Sequence, residues 1–120
     1  MDEVDLKRRT KQFALRIMRL VDALPKTTAG RAIGNQIIRS GTSVGANYRA
    51  ACRGRSKAEF IAKLGVVVEE ADECCFWLEL IIGGELLPKE KVETLLVEAN
   101  ELTAIFVSSV KTTKENRGCK

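Results

Sequence analysis

Apolar residues recur along this chain at the three- and four-residue spacing that is typical of amphipathic helices. In the first segment they share one stripe, which consists of Leu6, Phe13, Ile17, Leu20, Val21 and Leu24. Asp2, Glu3 and Asp5 lie at the start of this segment, where the helix dipole favours anions. Pro25 ends the predicted helix, because the residue before a proline is pushed out of the helical region.

The second predicted helix, from about Thr28 to Ala51, combines an apolar stripe with regularly placed glycines. The apolar stripe consists of Ile33, Ile37, Val44, Tyr48 and Ala51, and the glycines directly beside it are Gly30, Gly34, Gly41 and Gly45. Each internal glycine costs roughly 1 kcal/mol relative to alanine. We expect close approach of a neighbouring helix to offset this cost through dispersion contacts. A kink near residues 41–45 is the alternative, since Ser40, Thr42 and Ser43 can bond the local backbone.

The third predicted helix begins at Ser56-Lys57-Ala58-Glu59, which has the Ser-x-x-Glu pattern of a capping box. Its core stripe consists of Phe60, Leu64, Val67, Ala71, Cys74, Cys75, Leu78 and Ile82. A second apolar line lies well round the helix from the first and consists of Val66, Trp77, Leu80 and Ile81. Gly83-Gly84 is a typical stop signal for the end of this helix.

Pro88 suits the first turn of a fourth helix, whose core-facing residues are Val92, Leu95, Leu96, Ala99, Phe106 and Val110. Four amphipathic helices joined by short connections predict an all-α fold, an antiparallel up-down-up-down four-helix bundle over residues 1–112. The end of the chain has no apolar periodicity, so we expect residues 113–120 to form a flexible C-terminal tail.

The composition of these 120 residues, 45% hydrophobic and 30% charged, is typical of one globular domain. No apolar run approaches the roughly 20 residues of a membrane span. The chain starts MDEVDLKRR, which lacks the hydrophobic region of a secretory signal. We therefore expect a cytoplasmic protein with no membrane contact. In that compartment the four cysteines, Cys52, Cys74, Cys75 and Cys119, are expected to be reduced thiols.

The formal net charge of +4 conceals a strong asymmetry along the chain. Residues 23–58 contain seven basic residues and no acidic residue, whereas residues 59–101 contain eleven acidic residues and three basic ones. The basic residues predicted to bind phosphate are Arg8, Lys11, Arg19, Arg31, Arg39, Arg49, Arg53, Arg55 and Lys57. The alternative is a solvated face, partly paired with the acidic residues of a neighbouring subunit. On the second helix, Tyr48 is the only residue that could stack on nucleic-acid bases. We therefore expect contacts with the phosphate backbone.

Several kinds of chemistry are excluded or disfavoured by the residues present. The chain contains no histidine, which excludes His-based zinc sites, the Glu-x-x-His pairs of di-iron bundles and Ser-His or Cys-His catalysis. Its glycine-rich stretches lack the GxxxxGK[ST] pattern of a phosphate-binding loop. The acidic cluster of Glu69, Glu70, Asp72 and Glu73 could hold a hard cation, but a solvated or interface face is the preferred interpretation. We therefore predict no catalytic residue, no metal and no cofactor.

The stretch SVGANYRAACRGRSKAEFIAKL, followed by EEADECCFWLEL, resembles the four-helix-bundle family of 23S ribosomal RNA intervening-sequence proteins. The resemblance covers about residues 10–110 and depends on a basic first helix, the small residues 43–47, the arginine/serine turn that follows them and Glu59-Phe60. It implies a bundle that assembles into a ring-like homopentamer. The distantly similar accessory variability proteins of retroelements bind nucleic acid and a reverse transcriptase through a basic surface. Many relatives have proline at the position of Gly45, which favours a local kink there.

These observations lead to one main functional hypothesis. We expect a non-enzymatic, oligomeric accessory protein that binds RNA or DNA with low specificity through its basic surface, with a reverse transcriptase or another protein as a further partner. The predicted oligomer interface is the second apolar line of the third helix, Val66, Trp77, Leu80 and Ile81. The alternative hypothesis is an interaction scaffold whose basic face binds an acidic protein.

Overall fold

The computed structural model describes residues 1–115, which form four long helices and no strand. Helix α1 spans Glu3–Ala23, α2 spans Thr28–Cys52, α3 spans Lys57–Gly83 and α4 spans Glu93–Glu115. Consecutive helices pack side by side through short connections, in an elongated bundle of 52 × 21 × 20 Å. The predicted all-α, up-down-up-down four-helix bundle is confirmed.

Polar side chains cap the N-termini of helices α1, α2 and α3. At α1, the Asp2 carboxylate accepts a hydrogen bond from the Asp5 amide at 2.9 Å and the Asp5 carboxylate accepts one from the Asp2 amide at 3.4 Å. At α3, the Ser56 hydroxyl accepts a hydrogen bond from the Glu59 amide at 3.1 Å. The Glu59 carboxylate, however, accepts from the amide of Arg55 at 2.8 Å instead of from Ser56. The predicted capping box is therefore replaced by a cap that extends one residue further back.

The connection between α3 and α4 differs from the prediction in two ways. Helix α3 ends at Gly83 as expected, but the residue with a left-handed backbone is Glu85, at a φ of 58°. Pro88 does not lie in the first turn of α4. It precedes a 3₁₀ turn at Lys89–Lys91, and α4 begins only after Val92. This extra turn places the fully buried Val92 side chain in the core before the long helix starts.

Helix α4 continues to Glu115, past the predicted limit of the bundle at residue 112. Its last turns are regular, and the Thr113 hydroxyl donates a hydrogen bond to the Ser109 carbonyl at 2.8 Å. Residues 113–115 of the predicted tail are therefore helical. The rest of that tail, residues 116–120, lies outside the described residues, and so does Cys119.

The buried face of α3 follows a strict alternation of three- and four-residue steps. Its fully buried positions include Leu64, Val67, Cys74, Leu78 and Ile81. The sequence pattern predicts Ile82 as the last core residue of this helix and Ile81 as an interface residue. In the structure Ile82 is only partly buried, and Ile81 enters the core because it lies three residues after Leu78.

The glycines of α2 mark the line where its backbone approaches α1. A Cβ atom at Gly41 would lie 2.9 Å from both Cγ atoms of Ile17, and one at Gly45 would lie 3.2 Å from the Thr10 hydroxyl. Helix α2 is one uninterrupted helix through residues 41–45. Its hydroxyls bond carbonyls one turn earlier without ending the helix, as when Thr42 donates to the Ile38 carbonyl at 2.7 Å. Close approach of the two helices is therefore the interpretation that the contacts support.

We expect Gly41→Ala to destabilise the protein, because its new methyl group would meet the branched and fully buried side chain of Ile17. Overpacking of this kind costs about 1–3 kcal/mol, and a β-branched neighbour has little rotamer freedom with which to yield. The matched control is Gly65→Ala in α3, where a Cβ would meet nothing within 4 Å and the gain in helix propensity is unopposed. Urea unfolding of both variants measures the difference. Equal stabilisation by the two substitutions would show that α1 and α2 are not tightly packed.

Candidate nucleic-acid interface

The nine basic residues predicted to bind phosphate do not form one continuous surface. Arg8 and Lys11 of α1 and Arg49 of α2 line a common groove between these two helices. The remaining six lie elsewhere on the bundle, and they are Arg19, Arg31, Arg39, Arg53, Arg55 and Lys57. The groove is therefore the candidate interface.

This α1–α2 groove, of about 530 Å³, combines small side chains with long basic ones. The small residues that line it are Thr10, Ala14, Thr42, Gly45 and Ala46. The basic residues that line it are Lys7, Arg8, Lys11 and Arg49. Within residues 1–115, no acidic side chain contributes to its walls. A cleft lined by charges of one sign concentrates the electrostatic potential and attracts the opposite charge.

The basic residues of the groove differ in how far they are neutralised. Lys7 pairs with Glu3 at 2.8 Å, and the largely exposed Arg8 pairs with Asp5 at 3.3 Å. Lys11 and Arg49 have no carboxylate within 4.0 Å anywhere in the described part of the chain. Exposed ion pairs such as Lys7–Glu3 and Arg8–Asp5 contribute little to stability, and another anion can easily replace the carboxylate in them. The groove thus presents an excess of positive charge to solvent.

The groove exists because of how α1 and α2 pack. Gly45 faces the buried Thr10. The Thr10 hydroxyl donates a hydrogen bond to the Leu6 carbonyl at 2.8 Å, so this buried hydroxyl is paired. With no side chain on α2 at this point, the two backbones come close and the space above them stays shallow. Long side chains close by, Lys11 next to Thr10 on α1 and Arg49 one turn after Gly45 on α2, line the groove.

Arg39 belongs to a different environment. Its guanidinium donates to Glu73 at 2.7 Å and lies 3.6 Å from Glu70, so α3 neutralises it. Trp77 donates a further hydrogen bond from its indole nitrogen to the Glu73 carboxylate at 3.3 Å. Arg39 therefore has competing partners on the acidic face of α3, and its assignment to the phosphate-binding surface stays a prediction. The predicted acidic cluster serves partly as the counter-charge to this arginine.

The other predicted residues are spread along the bundle. Arg31 lies on the same helix as Arg49 but roughly 27 Å away, at about 1.5 Å per residue. Arg53 caps the end of α2, and Arg55 and Lys57 line a separate pocket beside the α2–α3 connection. These positions can extend a surface for a long polymer, but they do not converge on one group. Arg19 faces α4.

Arg9 is an important basic residue that the sequence analysis did not single out. It donates to both carboxylate oxygens of Glu98, at 2.7 and 2.8 Å, and to Glu101 at 2.6 Å. The hydrogen bonds to Glu98 raise the pKa of the Arg9 guanidinium. Because α1 and α4 otherwise contact each other sparsely, this arginine is the main polar tie between them. No spacing along the chain signals a partner 89 residues away.

The predicted oligomer interface is only partly exposed. Ile81 is fully buried inside the subunit, so its assignment to a surface between subunits was wrong. Val66 and Trp77 are half-buried, and Leu80 is 38% exposed. Phe76, which the prediction left out, is 53% exposed and its ring centroid lies 5.3 Å from that of Trp77. We call Phe76, Trp77 and Leu80 the α3 apolar patch.

Two of the described cysteines, Cys74 and Cys75, lie in surroundings that disfavour a reactive thiolate. Cys74 and Cys75 are buried, and the Cys74 thiol donates a hydrogen bond to the Ser40 hydroxyl at 3.3 Å. Burial raises the pKa of Cys74 to about 12 and raises that of Cys75 as well, which disfavours the nucleophilic thiolate. Among residues 1–115, no three His, Cys, Asp or Glu side chains come together as a metal site.

Comparison with known proteins identifies the relatives of this bundle. Residues 2–108 match the profile of the 23S rRNA-intervening sequence proteins. The chain belongs to this family. A crystal structure of a protein from Bacteroides thetaiotaomicron, described as a member of the S23 ribosomal protein family with unknown function, is similar to it, with 37% identity and a TM-score of 0.82. The similarity covers 88% of this chain and 97% of that one.

The comparison with curated proteins found no match. Within the described part of the chain, none of the helices combines the length and apolar character that a membrane crossing requires. Membership of the 23S rRNA-intervening sequence family therefore agrees with the fold and leaves the role of the α1–α2 groove to be argued from its chemistry.

We expect Arg9→Gln to lower the free energy of unfolding by about 1–2 kcal/mol, because it leaves the partly buried carboxylate of Glu98 and the exposed one of Glu101 without their donor. The matched control is Arg8→Gln on the same helix, which breaks only an exposed pair with Asp5 and should cost no more than about 0.5 kcal/mol. Thermal or urea unfolding at low and high salt measures both. Equal effects of the two substitutions would mean that Arg9 does not tie α1 to α4.

Proposed function

We propose that this member of the 23S rRNA-intervening sequence family is a non-enzymatic, homo-oligomeric accessory protein that binds RNA or DNA with low specificity. The observation that carries the proposal is the α1–α2 groove, which is lined by four basic residues and no acidic residue of the described chain. A nucleic-acid backbone supplies phosphates at regular intervals, and neutralising each one releases counterions. Lys11 and Arg49, which have no carboxylate nearby, are the main contacts in this proposal.

Low specificity follows from the side chains that the groove lacks. Proteins contact the bases through hydrogen bonds to base edges, which read sequence, or through aromatic rings that stack on the bases. Tyr48, the aromatic residue considered for stacking, is 5% exposed and packs 5.2 Å from the ring of Phe106. No aromatic side chain of the described residues lines the groove. Contacts with phosphate therefore dominate in this proposal.

Oligomerisation would repeat the groove in every subunit. Several weak sites on one assembly bind a single polymer much more tightly than one site does. We propose that the α3 apolar patch forms the subunit interface, since an exposed Phe beside a half-exposed Trp and Leu is unusual on a monomer. The proposed assembly is a homopentamer, as the family resemblance implies, and its proposed location is the cytoplasm. A reverse transcriptase or another protein is the proposed further partner.

We expect Lys11→Glu with Arg49→Glu to abolish binding to a fluorescein-labelled single-stranded RNA, measured by anisotropy. The wild-type affinity should fall roughly 10- to 100-fold between about 50 and 200 mM salt, as expected for a few phosphate contacts. The matched control is Lys63→Glu with Lys111→Glu, which makes the same change in net charge on exposed positions of α3 and α4 outside the groove. This control should bind nearly as tightly as the wild type.

Two results would contradict the proposal. One is absence of binding by the wild type at the lower salt concentration, and the other is equal binding by the groove variant and the wild type. If the wild type instead binds an acidic protein and not RNA or DNA, the groove functions in an interaction scaffold. Circular dichroism and light scattering on each variant establish that helical content and oligomer size are unchanged.

We expect Trp77→Glu to give smaller species in multi-angle light scattering, because a carboxylate would have to be desolvated at the interface and would lie beside Glu73. The matched control is Val97→Glu on α4, which charges an exposed apolar residue outside the patch and should leave the size unchanged. A wild-type protein that is monomeric at micromolar concentration would contradict the proposed assembly.

A further inference from the structure

A second basic cavity lies on the opposite flank of α1 from the α1–α2 groove. It is bordered by α1, α4 and the 3₁₀ turn, is open to solvent, and has a volume of about 360 Å³. Its polar lining consists of Arg16, Arg19, Lys91 and Thr94. Its apolar lining consists of Leu20, Ala23, Leu87 and Leu95. We call it the α1–α4 cavity, and its size is at the small end of the range for pockets that bind small molecules.

The charges around this cavity are not balanced locally. Arg16, Arg19 and Lys91 come from two separate elements, and no carboxylate of residues 1–115 lies within 4.0 Å of any of them. The half-buried Arg16 is oriented by a hydrogen bond from its guanidinium to the Thr94 hydroxyl at 3.2 Å. Like charges held around one space repel each other, and a bound anion removes that repulsion.

The same seam between α1 and α4 provides an internal contrast. About two helical turns earlier in α1, Arg9 is matched by two carboxylates of α4. At the level of Arg16 the facing side chain of α4 is Thr94, which is neutral. The fold therefore supplies counter-charges at one end of the seam and none at the other. An arginine, a lysine and a hydroxyl are the side chains that recognise phosphate oxygens.

The remaining walls restrict what else the ligand carries. Leu20 and Leu95 are nearly fully buried in the core and expose only small apolar surfaces to the cavity, and Leu87 is half-buried. A ligand that fills the cavity therefore has an anionic group and a compact, weakly polar body. A phosphate monoester carries a charge of about −1.5 to −2 at neutral pH, which suits three cations better than a single carboxylate does.

We propose that the α1–α4 cavity binds the terminal phosphate monoester of a small molecule or chain end, with Arg16, Arg19 and Lys91 around the phosphate. This site is independent of the α1–α2 groove, since the two lie on different flanks of α1 and share no lining residue. Arg19, which the sequence analysis grouped with the polymer-binding surface, belongs to this cavity in the proposal. The cavity therefore recognises the terminal phosphate of its ligand, whereas the α1–α2 groove contacts phosphates along a nucleic-acid backbone.

Isothermal titration calorimetry with adenosine monophosphate tests the proposal on the full chain. We expect saturable binding with a dissociation constant of about 1 mM or lower, and none with adenosine, which has the same body without the phosphate. A short oligonucleotide with a 5′-phosphate, compared with its 5′-hydroxyl form, distinguishes a chain end from a free nucleotide as the source of the phosphate. Preference for the phosphorylated member of either pair supports the proposal.

The variants Arg19→Gln and Lys91→Gln should each weaken phosphate binding about tenfold, as expected for loss of one charge-assisted contact. The matched control is Lys89→Gln, which removes the same charge from the same 3₁₀ turn at a residue that does not line the cavity. Arg19 and Lys91 are exposed, so neither change threatens the fold. The groove variant Lys11→Glu with Arg49→Glu should retain binding of adenosine monophosphate even though it loses the RNA.

Three results would overturn the proposal. They are no heat of binding with any phosphorylated probe up to about 5 mM, equal binding of adenosine and adenosine monophosphate, and equal affinity of the cavity variants and the Lys89→Gln control. Failure of the RNA titration leaves this test unaffected, because the two experiments depend on separate residues. Conversely, the cavity variants should keep the salt-dependent binding of long RNA.

Discussion

The close approach of α1 and α2 is the constraint on which the rest of this structure depends. The side chain of Ile17 occupies the space that a Cβ at Gly41 would need, and Thr10 leaves little room for one at Gly45. Four glycines in a 25-residue helix lower its intrinsic helix propensity, so the close packing that they permit must offset this loss of stability. Because the seam between these helices is narrow, long basic side chains on either side of it have only the outer surface available. The position of these basic side chains on the outer face thus follows from how the two backbones pack.

Most of the fold could be predicted from the sequence because helical periodicity and stop signals are local. The four segments, the end of α1 before Pro25 and the core face of each helix all depend on residues within one or two turns of each other. The errors lie at the ends of helices. Ile81 entered the core because a three-residue step follows Leu78, and Pro88 introduced a 3₁₀ turn instead of the first turn of α4. At helix ends several local geometries have similar energies, and tertiary contacts select one.

The candidate site could be predicted much less well, since a charge on a helical wheel does not reveal what faces it. Arg39 and Arg49 are both exposed arginines of the same basic segment, yet acidic residues of α3 neutralise the first and none in the described chain neutralises the second. Nothing in the sequence around Arg9 indicates that it pairs with Glu98 of α4 in the folded bundle. Pairing of this kind is decided by the arrangement of helices, which the sequence of a single helix does not contain. Arg19 and Lys91 likewise come together only in the folded bundle.

The sparse contact between α1 and α4 also bears on how the molecule opens. Helix α1 packs closely on α2, and α4 packs closely on α3, whereas α1 and α4 meet sparsely and are joined mainly through Arg9. Segments with few buried contacts have the lowest free energy of local opening. The α1–α4 seam is therefore the edge at which this bundle opens most readily. When that seam opens, the core is uncovered along one edge, and a helix of another copy could pack there.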